Sequence, residues 1–411
     1  MAKKDEIIEV DNVETNEDLY EPREIYPTGF RNIDTNIGAR IYEKSTDKLL
    51  QVNRGIMSGS WITYTGVSHS GKSTLCLQHV ASCMRKYVQE DNFDSRVKLH
   101  IFDVENGVSR SRFIQLTGFS NLQIARHVEW EEDCTIEGLQ DLINNVIKEK
   151  QEKGYKKIKR IGVQGYEVEM YPPTFIIVDA ISELVSRDVI DVDNDATNTM
   201  YMRQNLMLDQ FVKKTKLKFA KYNINIFTVA HIAKKIDVGG NPMAKPIKEW
   251  KGMPNDTKIN GGKALQYATD IGFYIARIEA SDSIAAERKG ARILNASSIM
   301  EAKIFKNRQG LDNTSFYLVF DQKGMFDPLA SFIYECQQFK VIESAGAVKK
   351  IKGTEFSCRS QDLIQKILTE PEFRTALFDK YDELKNDALE SLHSTEEELQ
   401  RQNDILDIMS L

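Results

Sequence analysis

With 411 residues and a mean hydropathy of −0.42, and with no run near the roughly 18 apolar residues that span a bilayer, the chain reads as soluble, one dominant domain plus appendages. The net charge of −6 argues against a uniformly basic nucleic-acid binder, yet it is unevenly placed: residues 1–24 carry −6, residues 382–411 carry −7, and the body between them is +7, which keeps a polyanionic partner open. The acidic start lacks the basic-then-apolar order of a secretory leader. Five cysteines (Cys76, Cys83, Cys134, Cys336, Cys358) form no CxxC pair and are odd in number, so the expected setting is a reducing cytoplasm with no disulfide framework and no membrane.

In chain order, residues 1–24 hold few large apolar groups and read as an acidic arm, disordered or used for oligomerisation. From Tyr26 to Leu184, strand-like runs at Trp61 to Tyr64, Val97 to Phe102 and Thr174 to Val178 alternate with helical patterns near 74–88, 109–117 and 136–150. Such alternation predicts βαβ units and a mostly parallel sheet flanked by helices. A long helix follows around 199–222 and a strand from Ile224 to Ala230. The runs 271–278, 298–305 and 316–320 stand close together without long helices between them, predicting antiparallel additions at the sheet edge. Segments 331–346 and 359–392 look helical. The expected division is therefore an arm at 1–24, an α/β core at 25–328, a small helical unit at 329–381 and an acidic tail at 382–411.

The most informative stretch is TYTGVSHSGKSTLCLQHV, Thr63 to Val80, where a glycine-flanked loop joins a strand to a helix. Gly66, Val67, Ser68, His69, Ser70, Gly71, Lys72 and Ser73 fit the pattern GxxxxGK[ST], with Thr74 following. The glycines allow consecutive backbone N–H groups to turn inward as a nest for phosphate oxygens, and the helix start adds unpaired N–H groups. Lys72 can reach the outer phosphates, and the Ser73 hydroxyl is placed to ligate Mg²⁺. A nucleoside triphosphate is the predicted ligand.

Two apolar strands end in acids. TFIIVDAISELV places Asp179 at a strand's carboxyl end, where a Mg²⁺ shell needs it, and KLHIFDVENGVSRSRF places Asp103 and Glu105 similarly. A carboxylate at the second position can orient or deprotonate an attacking water. A GTPase is disfavoured, because no Asn/Thr-Lys-x-Asp motif follows a strand.

Together these segments resemble the RecA family of ATP-dependent DNA strand-exchange proteins, and more closely its UvsX-like members from tailed bacteriophages. GSWITYTGVSHSGKSTLCLQ looks like the family's phosphate loop and helix, HIFDVENG like the strand ending in the catalytic glutamate (Glu105), and FIIVDAISELV like the second acidic strand. FTVAHI is similar to the strand whose last residue senses the γ-phosphate, giving His231 that role. GGKALQYATDIGFYIARI and AKIFKNRQG complete the likeness, which runs from about Tyr26 to Asp327. The resemblance implies a RecA-like P-loop ATPase core using ATP and Mg²⁺, and a helical filament on single-stranded DNA that pairs it with duplex DNA. It also implies single-strand-binding and mediator proteins of a phage as partners. It implies that Lys306 and Arg308 reach the ATP of the neighbouring protomer, with Arg where the family pattern has Lys, and that Phe113, counted with one inserted residue, stacks on adenine.

The long segment from Ile232 to Lys263 carries seven lysines against three acids, three prolines and Trp250, with almost no apolar periodicity. Basic charge tracks phosphate and an aromatic face stacks on a base, so Lys234, Lys235, Lys245, Lys248, Trp250, Lys251 and Lys258 are the expected DNA contacts. The corresponding first loop, SRDVIDVDNDATN, is acidic and offers Arg187 with Asn194, Thr197 and Asn198. An ATP-dependent recombinase is the leading expectation. The alternatives are a RecA-core hexameric DNA helicase or motor, which would share the nucleotide site, and an ATP-binding assembly factor, which intact Glu105 disfavours.

Overall fold

The computed structural model describes residues 23–42, 49–89, 94–163, 167–187, 198–234, 253, 257–260, 262–278, 296–312 and 314–390. At its centre is a ten-stranded sheet. Its members in chain order are β1 (Trp61–Gly66), β2 (Lys98–Asp103), β3 (Val128–Trp130), β4 (Thr174–Asp179), β5 (Ile224–Lys234), β6 (Thr257–Ile259), β7 (Ile271–Arg277), β8 (Ala296–Asn307), β9 (Ser315–Asp321) and β10 (Phe326–Asp327). Across the sheet the order is β10-β9-β8-β7-β1-β5-β4-β2-β3, and β6 pairs with β5.

From β7 through β1, β5, β4 and β2 to β3 every pairing is parallel. Helices cover both faces, which is why β1 and β4 are buried at every position and read as unbroken apolar runs. On one face, helix α1 (Lys72–Val88) places Leu75, Val80 and Met84 in a cluster with Ile101 and Phe273. The other face packs α3 (Ile136–Gln151) and α4 (Asn198–Thr215), with Leu139 and Phe211 against Trp61 and Ile176. A shorter helix between α1 and α3 in sequence, α2 (Arg110–Thr117), follows the β2 loop.

β8 and β9 add antiparallel at one edge, as expected, with the short β10 antiparallel beyond them, but β7 does not. It runs parallel to β1, with Ile271 opposite Ile62. A parallel return requires a crossover, and the helix Gly262–Ala268 lies directly ahead of the strand. No helix among the described residues is long and apolar enough to cross a membrane.

The C-terminal part differs from an all-helical unit. After α5 (Pro328–Gln338) the chain forms a three-stranded antiparallel sheet, Ile342–Ala345, Val348–Ile351 and Ser357–Arg359, before α6 (Leu363–Thr369) and α7 (Pro371–Glu390). Residues 342–346 were expected to be helical. Gly346, at φ +61°, instead allows the tight turn that pairs Ala345 with Val348. Helix α7 also passes through the expected start of the acidic tail. Asp382 lies within it and pairs with Arg31 at 2.5 Å and Arg54 at 2.8 Å. Buried Glu335 on α5 gathers the surrounding elements: its carboxylate accepts from Asn32 Nδ2 (2.9 Å), the Tyr317 amide (3.1 Å), the Tyr381 hydroxyl (2.9 Å) and Lys385 Nζ (3.0 Å).

Candidate functional site

The parallel strands β1, β5, β4 and β2 are neighbours, and their carboxyl ends lie side by side. Register pairs Asp179 with Asp103, and His231 with Gly66. In an open α/β sheet this is the rim where ligands are bound.

The loop after β1 has the backbone that the glycine pattern demands. Gly66 sits at φ +151°, where a Cβ would meet the Ile275 carbonyl oxygen at 2.1 Å, and Gly71 at φ +82°, where it would meet the Phe326 ring at 2.6 Å. Val67, Ser68 and His69 are exposed at the tip, with His69 itself left-handed at φ +60°. Ser70 is buried, and its Oγ has no hydrogen-bond partner. The helix then opens with Lys72, Ser73 and Thr74, the Leu75 amide donating to the Gly71 carbonyl at 2.9 Å.

Lys72 is 7% exposed and folds over its own loop, Nζ donating to the Val67 carbonyl at 3.0 Å. Burial pushes its ammonium down, opposed by the charges of Asp179 and Glu105. Asp179 is 5% exposed, and its carboxyl is raised to about 6: burial is the main cause, supported by the nearby carboxylates of Glu105 and Asp103 and opposed by a Ser73 hydrogen bond and the Lys72 charge. One of its oxygens, Oδ1, is buried without any hydrogen-bond partner. A buried, unpartnered carboxylate oxygen beside a serine hydroxyl is a donor set suited to a hard cation such as Mg²⁺, and the glycine-shaped loop with a buried ammonium suits phosphate.

The two acids at and just after the end of β2 divide their tasks in a way the sequence did not separate. Asp103 is spent on the loop itself, its oxygens accepting from the Gly107 and Val108 amides at 2.9 Å each. Glu105 is held at the site because the Val104 and Glu105 amides donate to the Asp179 carbonyl, at 2.8 and 3.3 Å. Its carboxylate is partly exposed and hydrogen-bonds His231 Nε2 from the end of β5. The His231 amide in turn donates to Ser182 Oγ at 3.3 Å. Four strands thus bring together Lys72, Ser73, Asp179, Glu105 and His231.

Lys306 and Arg308 are elsewhere. Lys306 lies opposite Gly272 near the start of β7, which pairs with the early part of β1, so both basic residues sit at the amino ends of the parallel strands, across the sheet from the glycine loop. Arg308 is 49% exposed, with Nη2 donating to the Tyr267 carbonyl at 3.0 Å and Nη1 3.3 Å from Asp270 Oδ1. Lys306 Nζ donates to the Gln266 carbonyl at 2.6 Å. Burial, reinforced by the Arg308 and Lys216 charges, pushes its ammonium down to about 8. The sequence missed Asp270, which also accepts from the Trp61 amide at 2.9 Å and pairs with Lys216 at 2.8 Å. Its only signal was an acid directly ahead of an apolar strand.

Three expectations change. Phe113 is fully buried on α2, its ring packed edge-on against Phe119 and Trp130 at 6.1 and 5.4 Å, so it offers no face to a base. Adjacent helical positions diverge by about 100°, and the residue turned outward is Arg112, which hydrogen-bonds the Gly324 carbonyl and lies 3.5 Å from Thr74 Oγ1. Arg187 is not a free cation for phosphate: its guanidinium pairs with Asp133 and, at 2.9 Å, with Asp141, while its amide donates to Glu137 at 3.0 Å. The third change is at the tail boundary given above. Of the expected DNA contacts, Lys235, Lys245, Lys248, Trp250 and Lys251 lie outside the described residues, as do Asn194 and Thr197 of the first loop. Lys234 ends β5, and Lys258 is exposed on β6, opposite Ala233. The Asn260 amide next to β6 donates to the His231 carbonyl at 2.9 Å, tying this end of the segment to the site. No protein-family model matches the chain, and neither does any curated protein.

Proposed function

We propose that this protein is a RecA-like, DNA-dependent ATPase that assembles on single-stranded DNA and promotes homologous pairing and strand exchange. The observation that carries the reading is the meeting of a glycine-shaped loop, Lys72, Ser73, Asp179, Glu105 and His231 at the carboxyl ends of adjacent parallel strands. The opposite placement of Lys306 and Arg308 supports a site completed by a second protomer.

In this reading Lys72 and the loop amides hold the phosphates of ATP, and Ser73 with Asp179 would hold Mg²⁺, which supplies charge neutralisation at the phosphate oxygens. Glu105 orients the water and accepts its proton, with His231 fixing the direction of the carboxylate. Because His231 lies in the last part of β5, three residues before its end, and its carbonyl is bonded to the Asn260 amide, a change in the Glu105–His231 pair has a short route into the lysine-rich segment expected to meet DNA. Lys306 and Arg308 of one protomer would face the ATP of the next.

The test is the ATPase rate with and without single-stranded DNA, with electron micrographs of the same mixtures. Hydrolysis that rises on adding DNA, together with open helical filaments, is the expected result. Closed rings would favour a helicase-type motor, and absent hydrolysis under both conditions would remove the reading.

A further inference from the structure

A second cluster of chemistry-bearing side chains lies at the outer edge of the sheet, where among the described residues β3 pairs only with β2. His100 on β2 stands opposite Glu129 on β3, and Glu131, two residues further, shares that face. His100 Nδ1 is 2.7 Å from Glu131 Oε1 and 3.5 Å from Glu129 Oε2, and the three ligand atoms all lie within 4.8 Å of one another. A tetrahedral ion with nitrogen and oxygen ligands at about 2.0–2.2 Å sets its ligands about 3.3–3.5 Å apart. The Glu129 separation matches that spacing, while the 2.7 Å contact with Glu131 is a hydrogen bond that would open by less than about 1 Å to admit an ion.

The surroundings have the form of a site rather than of a lone ion pair. His100 is 6% exposed, so the nitrogen donor is fixed from behind by the protein. Glu131 is half-buried and Glu129 exposed, which leaves a solvent side for water ligands. Lys98 Nζ donates to Glu129 Oε1 at 2.8 Å and to the Arg126 carbonyl at 3.1 Å, so the other oxygen, Oε2, is the one directed at the imidazole. An outer partner that orients a ligating carboxylate is a regular part of metal sites.

We propose that His100, Glu129 and Glu131 bind a divalent transition-metal ion of the zinc type, stapling the edge strand β3 to β2. An imidazole with two carboxylates suits zinc, cobalt or nickel better than Mg²⁺, which takes oxygen ligands. β3 has three residues and three register pairs to hold it, so a bridging ion adds a fastening at a short edge strand. The ion would act on the same strand that ends in Asp103 and leads to Glu105, and its binding does not depend on the reading of that site.

The experiment is calorimetric titration of Zn²⁺ into the metal-stripped full chain without nucleotide, in a His231→Gln background so that the His231–Glu105 pair adds no imidazole site of its own. One equivalent should bind with micromolar or tighter affinity, the melting temperature should rise with Zn²⁺, and a matching concentration of Mg²⁺ should not compete. His100→Gln and Glu131→Gln should each weaken Zn²⁺ binding at least about tenfold. Circular dichroism reports whether each variant is folded, and should His100→Gln fail to fold, the half-exposed Glu131→Gln decides. Absence of saturable uptake in the parent, or uptake equally tight in a folded variant, overturns the proposal.

Discussion

His231 and Glu105 are hydrogen-bonded to each other across 126 residues of sequence, imidazole Nε2 to carboxylate, because β5 and β2 end on either side of β4. The pairing makes two substitutions distinguishable. Glu105→Gln keeps the side chain's size and a hydrogen bond but removes the base, so ATP should still bind while turnover falls about 10²- to 10⁴-fold. His231→Ala should leave Glu105 ionisable yet undirected, reducing stimulation by DNA more than nucleotide affinity. Equilibrium binding of a fluorescent nucleotide beside steady-state turnover separates the two, and equal losses of binding and turnover in Glu105→Gln would count against a catalytic carboxylate.

Lys72 is buried and donates to a carbonyl of its own loop, so it is already held over the position where phosphate is expected. Removing the cation in Lys72→Ala takes away charge-assisted hydrogen bonds worth about 1.5–3 kcal/mol each, so nucleotide affinity should drop about 10- to 100-fold or more. The secondary structure should be retained. Unchanged affinity in that variant would remove the phosphate-loop assignment.

Asp179 ties the site to pH. Its carboxyl rises from 3.8 to about 6 in the folded chain. A carboxyl with a raised folded value favours the fold while protonated and opposes it once ionised. The stabilising contribution is thus present below about pH 4 and is lost as pH rises through about 6, a difference on the order of 3 kcal/mol. Asp179→Asn should therefore raise the melting temperature of the nucleotide-free protein at pH 7.5, and the gain should shrink to nothing near pH 4. The same variant should lose Mg²⁺-dependent turnover. A melting temperature that falls at pH 7.5 would show that the ionised carboxylate is compensated by contacts other than those described.

The Glu335–Lys385 pair makes the corresponding prediction for the C-terminal part. Both side chains are buried, at 0% and 3% exposure, and Glu335 also binds Asn32, Tyr317 and Tyr381. Glu335→Ala removes the carboxylate facing the buried Lys385 ammonium, together with the acceptor for Asn32, Tyr317 and Tyr381, and should destabilise by about 3–5 kcal/mol. Replacing both by well-packed apolar residues should cost much less. Urea denaturation of the single and double variants measures the difference.

The core was legible because its signals are local: a glycine loop, an apolar run ending in an acid, a strand ending in His231. What escaped depended on register or on which way a helix faces. Phe113 and Arg112 differ by one position, and only packing against Phe119 and Trp130 decides which is inside. The parallel direction of β7 followed from a seven-residue helix hidden in a glycine-containing segment, and the strands at 342–359 are too short to show a period of two. His100, Glu129 and Glu131 meet only once β2 and β3 are paired, which spacing along one chain does not reveal.

Register also gives the last prediction its force. Lys72 follows the end of β1, whereas Arg308 is anchored at its beginning: the Arg308 amide donates to the Asp270 carbonyl at 2.9 Å, and the Asp270 carboxylate accepts from the amide of Trp61, the first residue of that strand. A six-residue strand spans roughly 17 Å, so an arginine fixed at one end does not serve phosphates at the other within the same protomer. If Arg308 acts in turnover, it acts on a neighbour, and an arginine supplied in trans is worth about 10³- to 10⁵-fold in related phosphoryl transfers. Lys72→Ala and Arg308→Ala proteins should each be nearly inactive alone. Mixed in equal amounts on single-stranded DNA, they should regain part of the ATPase, because some junctions pair an intact loop with an intact arginine. A mixture that co-assembles on DNA yet stays as inactive as either parent would place Arg308 outside the reaction and remove the interface mechanism.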